Sequence, residues 1–188
     1  MKRFLFLDLE TTGLNPDTCS IIEIGAVVTD DKFNELNRFS ATIGWGNRRI
    51  RWEPEAAEMH ASWYNQADKM PLKEALVKLK EFLQMHRPVP GKYTLAGRNP
   101  AFDRSFLNPE ICRVLEIGPI VSLDLSRFAG HRNFDLCSLD ILADLLAPAV
   151  SRYTYTKPHR ALPDCLEAIE AAKYYVNLLR FDDCYQYG

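Results

Sequence analysis

Near its start the chain has an apolar stretch, residues 4–10, that ends in two acids. If this stretch is a strand, Asp8 and Glu10 share one face and the intervening Leu9 lies on the other, because alternate side chains of a strand point the same way. Two carboxylates held together beside apolar residues repel each other and lose water, which costs free energy unless a cation lies between them. With no cysteine or histidine next to the two acids, Mg²⁺ or Mn²⁺ fits better than zinc. The open alternative is a strand that ends at the surface in two solvated acids.

Strand and helix patterns follow one another along most of the chain. Apolar, β-branched runs on either side of Asp30 and Asp31 predict that the first strand continues into an antiparallel meander of three strands. Leucines at three- and four-residue spacing after Pro71 predict an amphipathic helix. In residues 44–70 the apolar residues recur with no clear period. The predicted strands cover residues 4–10, 21–29, 33–43, 93–96 and 121–125, and the predicted helices cover residues 71–86, 101–107, 138–146 and 164–179. Early strands followed by alternating helices and strands indicate an α/β fold, a mixed sheet with helices packed on it.

Length and charge limit the partners. The 188 residues suit a single domain, residues 1–188. The chain has 23 basic and 25 acidic side chains and a net charge of −2, without the basic excess of proteins that follow a long duplex. Either nucleic acid is not the partner, or the nucleic acid is short or bound mainly at one end.

Cysteines and the N-terminus bear on location. Five cysteines are scattered without a C-x-x-C pair, which argues against a disulfide framework and a zinc site and favours a reducing compartment. Acids interrupt the apolar N-terminal run almost at once, so this run is neither a signal peptide nor a membrane span. We therefore expect a cytoplasmic protein with no membrane partner.

Two later segments carry acids at the starts of predicted helices. Asp103 follows a predicted strand, and from there a carboxylate can face back over the sheet edge; a solvated acid in a first turn is the alternative. Asp164 follows Pro163, a residue suited to the first helical turn, and His159 lies five residues upstream on the approach loop. A loop histidine can move onto a substrate while a helix-fixed aspartate binds a metal ion. An exposed loop histidine is the alternative.

Three motifs, in this order, resemble the DEDDh exonucleases, a superfamily with a ribonuclease-H-like fold. The motifs are D-x-E-T-T-G-L at residues 8–14, N-x-x-F-D-x-x-F-L at residues 99–107 and H-x-A-x-x-D at residues 159–164. The resemblance covers nearly the whole chain and implies a mixed central sheet, antiparallel in its first three strands and then parallel, flanked by helices. It also implies a 3′–5′ exonuclease that releases nucleoside 5′-monophosphates with the help of two Mg²⁺ or Mn²⁺ ions.

The same resemblance implies roles for five polar residues. Asp8 would bridge both ions, and Glu10 and Asp164 would complete the ligand shell of the first ion. Asp103 would bind the second ion, directly or through water. His159 would act as the general base that takes a proton from the attacking water.

Within the superfamily the chain is most similar to oligoribonucleases, which implies short single-stranded RNA as substrate. The similar stretches are residues 59–62, 123–126 and 159–167 and the pair Tyr174-Tyr175. Oligoribonucleases are commonly dimers, and the aromatic tail with Tyr185 and Tyr187 could serve a homodimer interface. Two departures keep single-stranded DNA open as a substrate. Pro163 stands where oligoribonucleases usually carry an acid, and residues 99–103 are more similar to a proofreading DNA exonuclease.

The remaining candidates concern substrate contacts and rival activities. Leu14 is predicted as an apolar wedge against a terminal base, His60 as a stacking or hydrogen-bonding partner, and Asn99 as a backbone contact near the cleavage point. Trp63 could stack on a base or belong to the core. The rivals to an exonuclease are a nucleic-acid-binding module of the same fold that has lost catalysis and a metal-dependent phosphatase for small molecules.

Overall fold

A computed structural model describes residues 2–107, 123–147, 149–156 and 158–179. Within these residues the strands are β1 Phe4–Thr11, β2 Ile21–Thr29, β3 Glu35–Gly44, β4 Met70–Pro71, β5 Tyr93–Gly97 and β6 Ala129–Asp135. They form one sheet in the order β4-β3-β2-β1-β5-β6. The first three strands pair antiparallel, whereas β5 runs parallel to β1 and β6 runs parallel to β5. The predicted mixed sheet is confirmed.

Helices flank this sheet. In the described part of the chain they are α1 Pro54–Gln66, α2 Leu72–Met85, α3 Pro100–Phe106, α4 Leu136–Leu145 and α5 Ala161–Leu179. The four predicted helices are confirmed with shifted ends, and α1 occupies the segment without a clear period. Only His60 and Tyr64 of α1 are buried and no side chain caps its N-terminus, so its sequence carries a weak helical signal. None of the described helices combines the length and the apolar run that crossing a membrane requires.

Strand β1 separates two apolar layers. Leu5, Leu7 and Leu9 are at most 5% exposed and pack in the layer that contains α2. Phe6, on the opposite face, is fully buried in the layer formed with α4 and α5. Each such side chain stabilises the fold by about 1.5–3 kcal/mol when fully buried. Burial on both faces therefore fixes the register that directs Asp8 and Glu10 to the α5 side.

One predicted strand is wrong. Of residues 121–125, the first two lie outside the described residues, and Leu125 begins a short 3₁₀ turn, Leu125–Arg127. The Asp124 carboxylate accepts a hydrogen bond from Ser126 N at 3.0 Å, and such a cap favours a turn over an extended strand. The strand comes later, as the edge strand β6, whose middle residues are polar and exposed. Tyr185 and Tyr187 of the expected dimer interface also lie outside the described residues.

Candidate active site

Three carboxylates converge at the carboxyl end of β1. Asp8 and Glu10 belong to β1, and Asp164 belongs to the first turn of α5. Ligand oxygens of the three lie within 4.8 Å of one another. Two oxygens on opposite sides of one Mg²⁺ ion are about 4 Å apart, so a small adjustment of these side chains suffices to bind a single cation.

Gly25 of β2 allows α5 to approach this closely. A Cβ atom at residue 25 would lie 2.4 Å from the carbonyl carbon of Ala161, the first residue of α5. Side-chain atoms cannot approach backbone atoms to that distance, so any larger residue at position 25 would push the helix start away. Gly25 therefore sets the distance between Asp164 and the two acids of β1.

Asp103 is the fourth carboxylate of the cleft. It lies on α3 and is 3% exposed. Its Oδ1 accepts a hydrogen bond from Leu9 N at 2.9 Å. Leu9 is the residue between Asp8 and Glu10, so this hydrogen bond holds Asp103 against the strand that carries those two acids. The four carboxylates line one open cleft of about 420 Å³. The structure thus brings together every acid that the three motifs single out.

Burial and crowding raise the pKa values of these carboxyls. Burial raises the pKa of Asp8 to about 7, and the nearby charges of Asp164 and Glu23 add to the increase. Burial, followed by the charge of Asp8, raises the pKa of Glu10 to about 9. The pKa values of Asp103 and Asp164 also rise, again mainly through burial. The cleft therefore needs positive charge, either as protons or as a bound cation.

The side chains present fit a hard divalent cation. All four candidate ligands are carboxylates, whose oxygens suit Mg²⁺ and Mn²⁺. Cys165 also lines the cleft, but burial raises the pKa of its thiol well above the ordinary value. Because the thiolate is the metal-binding form of cysteine, Cys165 does not supply a soft ligand. The donor set therefore consists of oxygen atoms.

His159 enters the cleft from the loop before α5. Its backbone is left-handed, with φ at 52°. On one side of it, Thr156 N and Oγ1 both donate to Glu167 Oε1 at 2.6 Å. On the other side, Arg160 N donates to Asp164 Oδ2 at 2.9 Å. The loop is thus bound to α5 both before and after His159, which fixes where the imidazole enters.

An ion pair with a buried carboxylate, which the motifs do not indicate, lies behind this arrangement. Glu23 is 2% exposed and pairs with Glu10 in the β1–β2 register. Its Oε1 accepts from Arg160 Nη2 at 2.7 Å, and its Oε2 accepts from Arg160 Nε at 3.1 Å and from Ala161 N at 2.8 Å. The Arg160 guanidinium also lies over the Trp63 ring, 4.3 Å from its centroid. The available sequence signal is that Glu23 is the one charged residue inside the apolar run of β2.

The three predicted substrate contacts lie at different depths. Leu14 is 76% exposed at the cleft, and its backbone N–H donates to Glu53 Oε2 at 3.1 Å. Asn99 lines the cleft at the start of α3, with a left-handed φ of 53°. His60 is only 4% exposed, and its Nε2 lies 3.2 Å from Glu10 Oε2. The structure brings Leu14 and Asn99 to the open cleft, whereas His60 lies buried against a candidate metal ligand.

Comparison with known sequences gives a match to the RNase T model, which describes an exonuclease, over residues 5–172. Oligoribonuclease from Nitrosomonas europaea is 28% identical over 182 residues, with 93% of each chain covered. Oligoribonuclease from Bordetella pertussis is 29% identical over 187 residues, again with 93% of each chain covered. The family match spans all three motifs.

Solved structures of exonuclease I have a similar fold. The zinc-bound complex of the Escherichia coli enzyme with single-stranded DNA aligns with a TM-score of 0.70 at 17% identity, and exonuclease I from Methylocaldum szegediense aligns with a TM-score of 0.69 at 16% identity. Both alignments cover 96% of the present chain and 41% of the exonuclease I chain, so this chain spans about two fifths of those proteins. At such identities the likeness shows the fold, which is the ribonuclease-H-like fold of these exonucleases.

Proposed function

The chain belongs to the RNase T exonuclease family and is a 3′–5′ exonuclease, and we propose that it releases nucleoside 5′-monophosphates from short single-stranded RNA. The observation that carries this proposal is the convergence of four carboxylates and His159 in one cleft. Similarity to oligoribonucleases over 93% of the chain supports RNA as the substrate. The net charge of −2 supports a short substrate, since long nucleic acids are bound through many basic contacts.

The carboxylates would bind two Mg²⁺ or Mn²⁺ ions. Asp8, Glu10 and Asp164 form the tight group and would bind one of them. Asp103 stands against β1 beside that group and, with Asp8, would bind the other. When bound, such ions act as Lewis acids on the attacking and leaving oxygens of a phosphodiester. The raised pKa values of these acids support the proposal, because a bound cation takes the place of the protons that otherwise offset the crowding.

The other cleft residues would position the substrate and move a proton. His159, which lines the cleft, would accept the proton of the attacking water as a general base. Leu14 would act as an apolar wedge against the terminal base, and Asn99 would contact the sugar-phosphate backbone. His60 stays a predicted substrate contact, and its position against Glu10 gives it a second way to influence the site.

Single-stranded DNA is the second candidate substrate. Residues 99–103 are similar to those of proofreading enzymes, and the structure places Asn99 at the cleft. Exonuclease I, whose fold this chain shares, has been observed in complex with single-stranded DNA. A homodimer, a single domain over residues 1–188 and a cytoplasmic location remain predictions.

The proposal is tested with Mn²⁺ and 5′-labelled RNA and DNA, each as a dinucleotide and as a twenty-mer. Faster loss of the RNA dinucleotide, with release of nucleoside 5′-monophosphate, supports the proposal. Stepwise shortening of the long DNA at a higher rate supports the DNA alternative. Release of inorganic phosphate from mononucleotides instead indicates a phosphatase, and binding in EDTA without cleavage in Mn²⁺ indicates a binding module.

Two variants make the result specific to the cleft. Asp8→Asn removes a carboxylate of the tight group and should abolish metal-dependent cleavage. Asp31→Asn makes the same chemical change at an exposed acid in the turn between β2 and β3 and should cleave like the wild type. Equal activity of Asp8→Asn and Asp31→Asn contradicts the assignment of the cleft as the active site.

A further inference from the structure

Leu14 has little packing of its own to keep it in place. It lines the cleft, yet it is 76% exposed. An apolar side chain is stabilised in one position in proportion to the apolar area that it buries, and Leu14 buries little. The role of Leu14 as a wedge therefore depends on how the backbone of residue 14 is held.

The side chain of Glu53 holds that backbone. Glu53 Oε2 accepts a hydrogen bond from Leu14 N at 3.1 Å, although the two residues are 39 positions apart in the sequence. The carboxyl carbon of Glu53 fills the space beside Gly13, where an added Cβ atom would lie 2.3 Å from it. Glycine at residue 13 thus allows the close approach of the carboxylate to the turn that carries Leu14.

Other contacts of Glu53 bind the same turn on both sides of Leu14. Before Leu14, the Thr12 oxygen accepts a hydrogen bond from Glu53 N at 2.8 Å. After Leu14, the Cys19 thiol donates to Glu53 Oε1 at 3.3 Å, and Cys19 N donates to the Asn15 oxygen at 2.8 Å. Both halves of the turn are therefore connected to one residue, Glu53.

Glu53 also links this turn to the metal site through α1, which begins directly after it. His60 follows Glu53 by seven residues, about two helical turns. The buried His60 Nε2 lies 3.2 Å from Glu10 Oε2. The exposed wedge and a proposed metal ligand are thus joined through one helix. The distance between wedge and metal site matters, because a reacting phosphate must be placed accurately for hydrolysis.

We propose that Glu53 is a positioning residue that holds Leu14 against the 3′-terminal base and so sets how far the strand enters the cleft. This inference rests on the proposed function, which assigns the wedge to Leu14. Glu53 is not among the described residues that line the cleft, so it acts through Leu14 and not on the substrate. A terminal nucleotide without a base offers the wedge no contact, and its removal should not depend on Glu53.

The test compares two 5′-labelled RNA dinucleotides, one ending in adenosine and the other in an abasic ribose. Wild type, Glu53→Ala and Glu55→Ala are assayed with Mn²⁺, and kcat/KM is measured from the loss of each dinucleotide. Glu55 is the matched control because it is an exposed acid in the first turn of α1. Since a displacement of about 1 Å can cost about a hundredfold, Glu53→Ala should lower kcat/KM for the adenosine substrate by about tenfold to a hundredfold. On the abasic substrate Glu53→Ala should stay within about threefold of the wild type, as should Glu55→Ala on both substrates.

Two further variants distinguish positioning from a general effect on folding. Glu53→Gln keeps a side-chain oxygen that can accept from Leu14 N, so its loss on the adenosine substrate should be smaller than that of Glu53→Ala. The double variant Leu14→Ala/Glu53→Ala should lose little more activity on that substrate than Leu14→Ala alone, because Glu53 acts through Leu14.

The outcomes separate this inference from the proposed function. Equal decreases on the two dinucleotides overturn the inference, because Glu53 then supports the fold or the chemical step as a whole. Unchanged kinetics of Glu53→Ala on both substrates overturn it, and so do additive losses in the double variant. In each of these cases the wild type still cleaves, so the proposed function stands. If the wild type cleaves neither dinucleotide, the proposed function itself fails and this inference falls with it.

Discussion

Glu23 and Arg160, which are 137 positions apart in the sequence, form a paired ion contact behind the carboxylate cluster, with Arg160 Nη2 2.7 Å from Glu23 Oε1. Glu23 belongs to β2 and Arg160 directly precedes α5. The same carboxylate accepts a hydrogen bond from Ala161 N at 2.8 Å. Glu23 therefore binds the start of α5 to the sheet, close to His159 before the helix and Asp164 in its first turn.

Replacing Glu23 with glutamine should reduce activity without removing any proposed metal ligand. The first turn of α5 loses its charged partner, so His159 and Asp164 are held less well. Groups that orient metal ligands typically contribute 10- to 100-fold, so we expect kcat to fall by about that factor. The free energy of unfolding should fall by about 1–3 kcal/mol, less than for a fully buried pair because the Arg160 side chain is 40% exposed.

A double-mutant cycle with Arg160→Met isolates the pair. If Glu23 acts through Arg160, the double variant loses little more activity than either single variant. Additive losses in kcat contradict the positioning role, because Glu23 and Arg160 then act separately. The measurements are steady-state kinetics with saturating Mn²⁺ and urea unfolding.

The metal-free protein should lose stability as the pH rises. The folded-state pKa values of Asp8 and Glu10 are about 7 and about 9, above their ordinary values of 3.8 and 4.5. The folded protein thus retains protons that the unfolded chain releases, and this stabilisation is present at low pH and is lost as the pH rises through the folded-state values. In EDTA we expect the melting temperature to fall by at least about 4 °C from pH 5 to pH 8.

Divalent cation and Asp8→Asn provide the controls for this pH dependence. Saturating Mn²⁺ should raise the melting temperature most at pH 8, where the carboxylates are free of protons and bind the cation best. Asp8→Asn should weaken the pH dependence in EDTA, since it removes one of the crowded charges. A wild-type melting temperature that stays level or rises between pH 5 and pH 8 in EDTA would contradict the raised pKa values of Asp8 and Glu10.

Gly25→Ala should damage both the fold and the metal site. The new Cβ would lie 2.4 Å from the Ala161 carbonyl carbon and 2.5 Å from its oxygen, and backbone atoms cannot rotate away as a side chain can. Overpacking of this kind costs about 1–3 kcal/mol of unfolding free energy. Because the start of α5 must move, Asp164 also moves, and the affinity for Mn²⁺ should fall.

Gly130→Ala is the matched control for this substitution. Gly130 lies in β6, and the nearest atom to an added Cβ is the Tyr93 oxygen at an ordinary 3.7 Å. Urea unfolding and Mn²⁺ titration should give near wild-type values for Gly130→Ala and reduced values for Gly25→Ala. Equal Mn²⁺ affinity in the two variants would show that the start of α5 does not depend on Gly25.

The local part of this structure was predictable because its signals are local. Alternation along residues 4–10 is enough to place Asp8 and Glu10 on one face of β1, and apolar runs on either side of a turn are enough to predict an antiparallel meander. The mixed sheet and the flanking helices follow from the order of such segments. The resemblance of the motifs to the exonucleases indicated which four acids belong to one site. In the structure, all four line one cleft.

The missed features depend on contacts between distant parts of the chain. The Glu23–Arg160 pair joins β2 to the start of α5. Because these segments are far apart in the sequence, only the folded structure shows that Glu23, an acid in an apolar strand, is paired with Arg160. The contact between His60 and Glu10 was also not predictable, because a single residue in α1 carries no sign of facing inward rather than outward. The edge strand β6 was missed because its exposed polar residues remove the alternation that marks a strand.

Replacing His159 with asparagine should slow the chemical step and leave the metal site in place. The loss of a general base typically costs 10²- to 10⁴-fold, so we expect kcat to fall by about that factor. Asparagine tolerates the left-handed backbone at residue 159, where φ is 52°, so strain in the loop does not confuse the result. His131→Asn, at an exposed histidine of β6, is the matched control and should act like the wild type. Mn²⁺ affinity, measured by titration, should be unchanged in His159→Asn because the carboxylates remain. A decrease in kcat below about threefold, or a loss of Mn²⁺ affinity that accounts for the whole decrease, argues against His159 as the base.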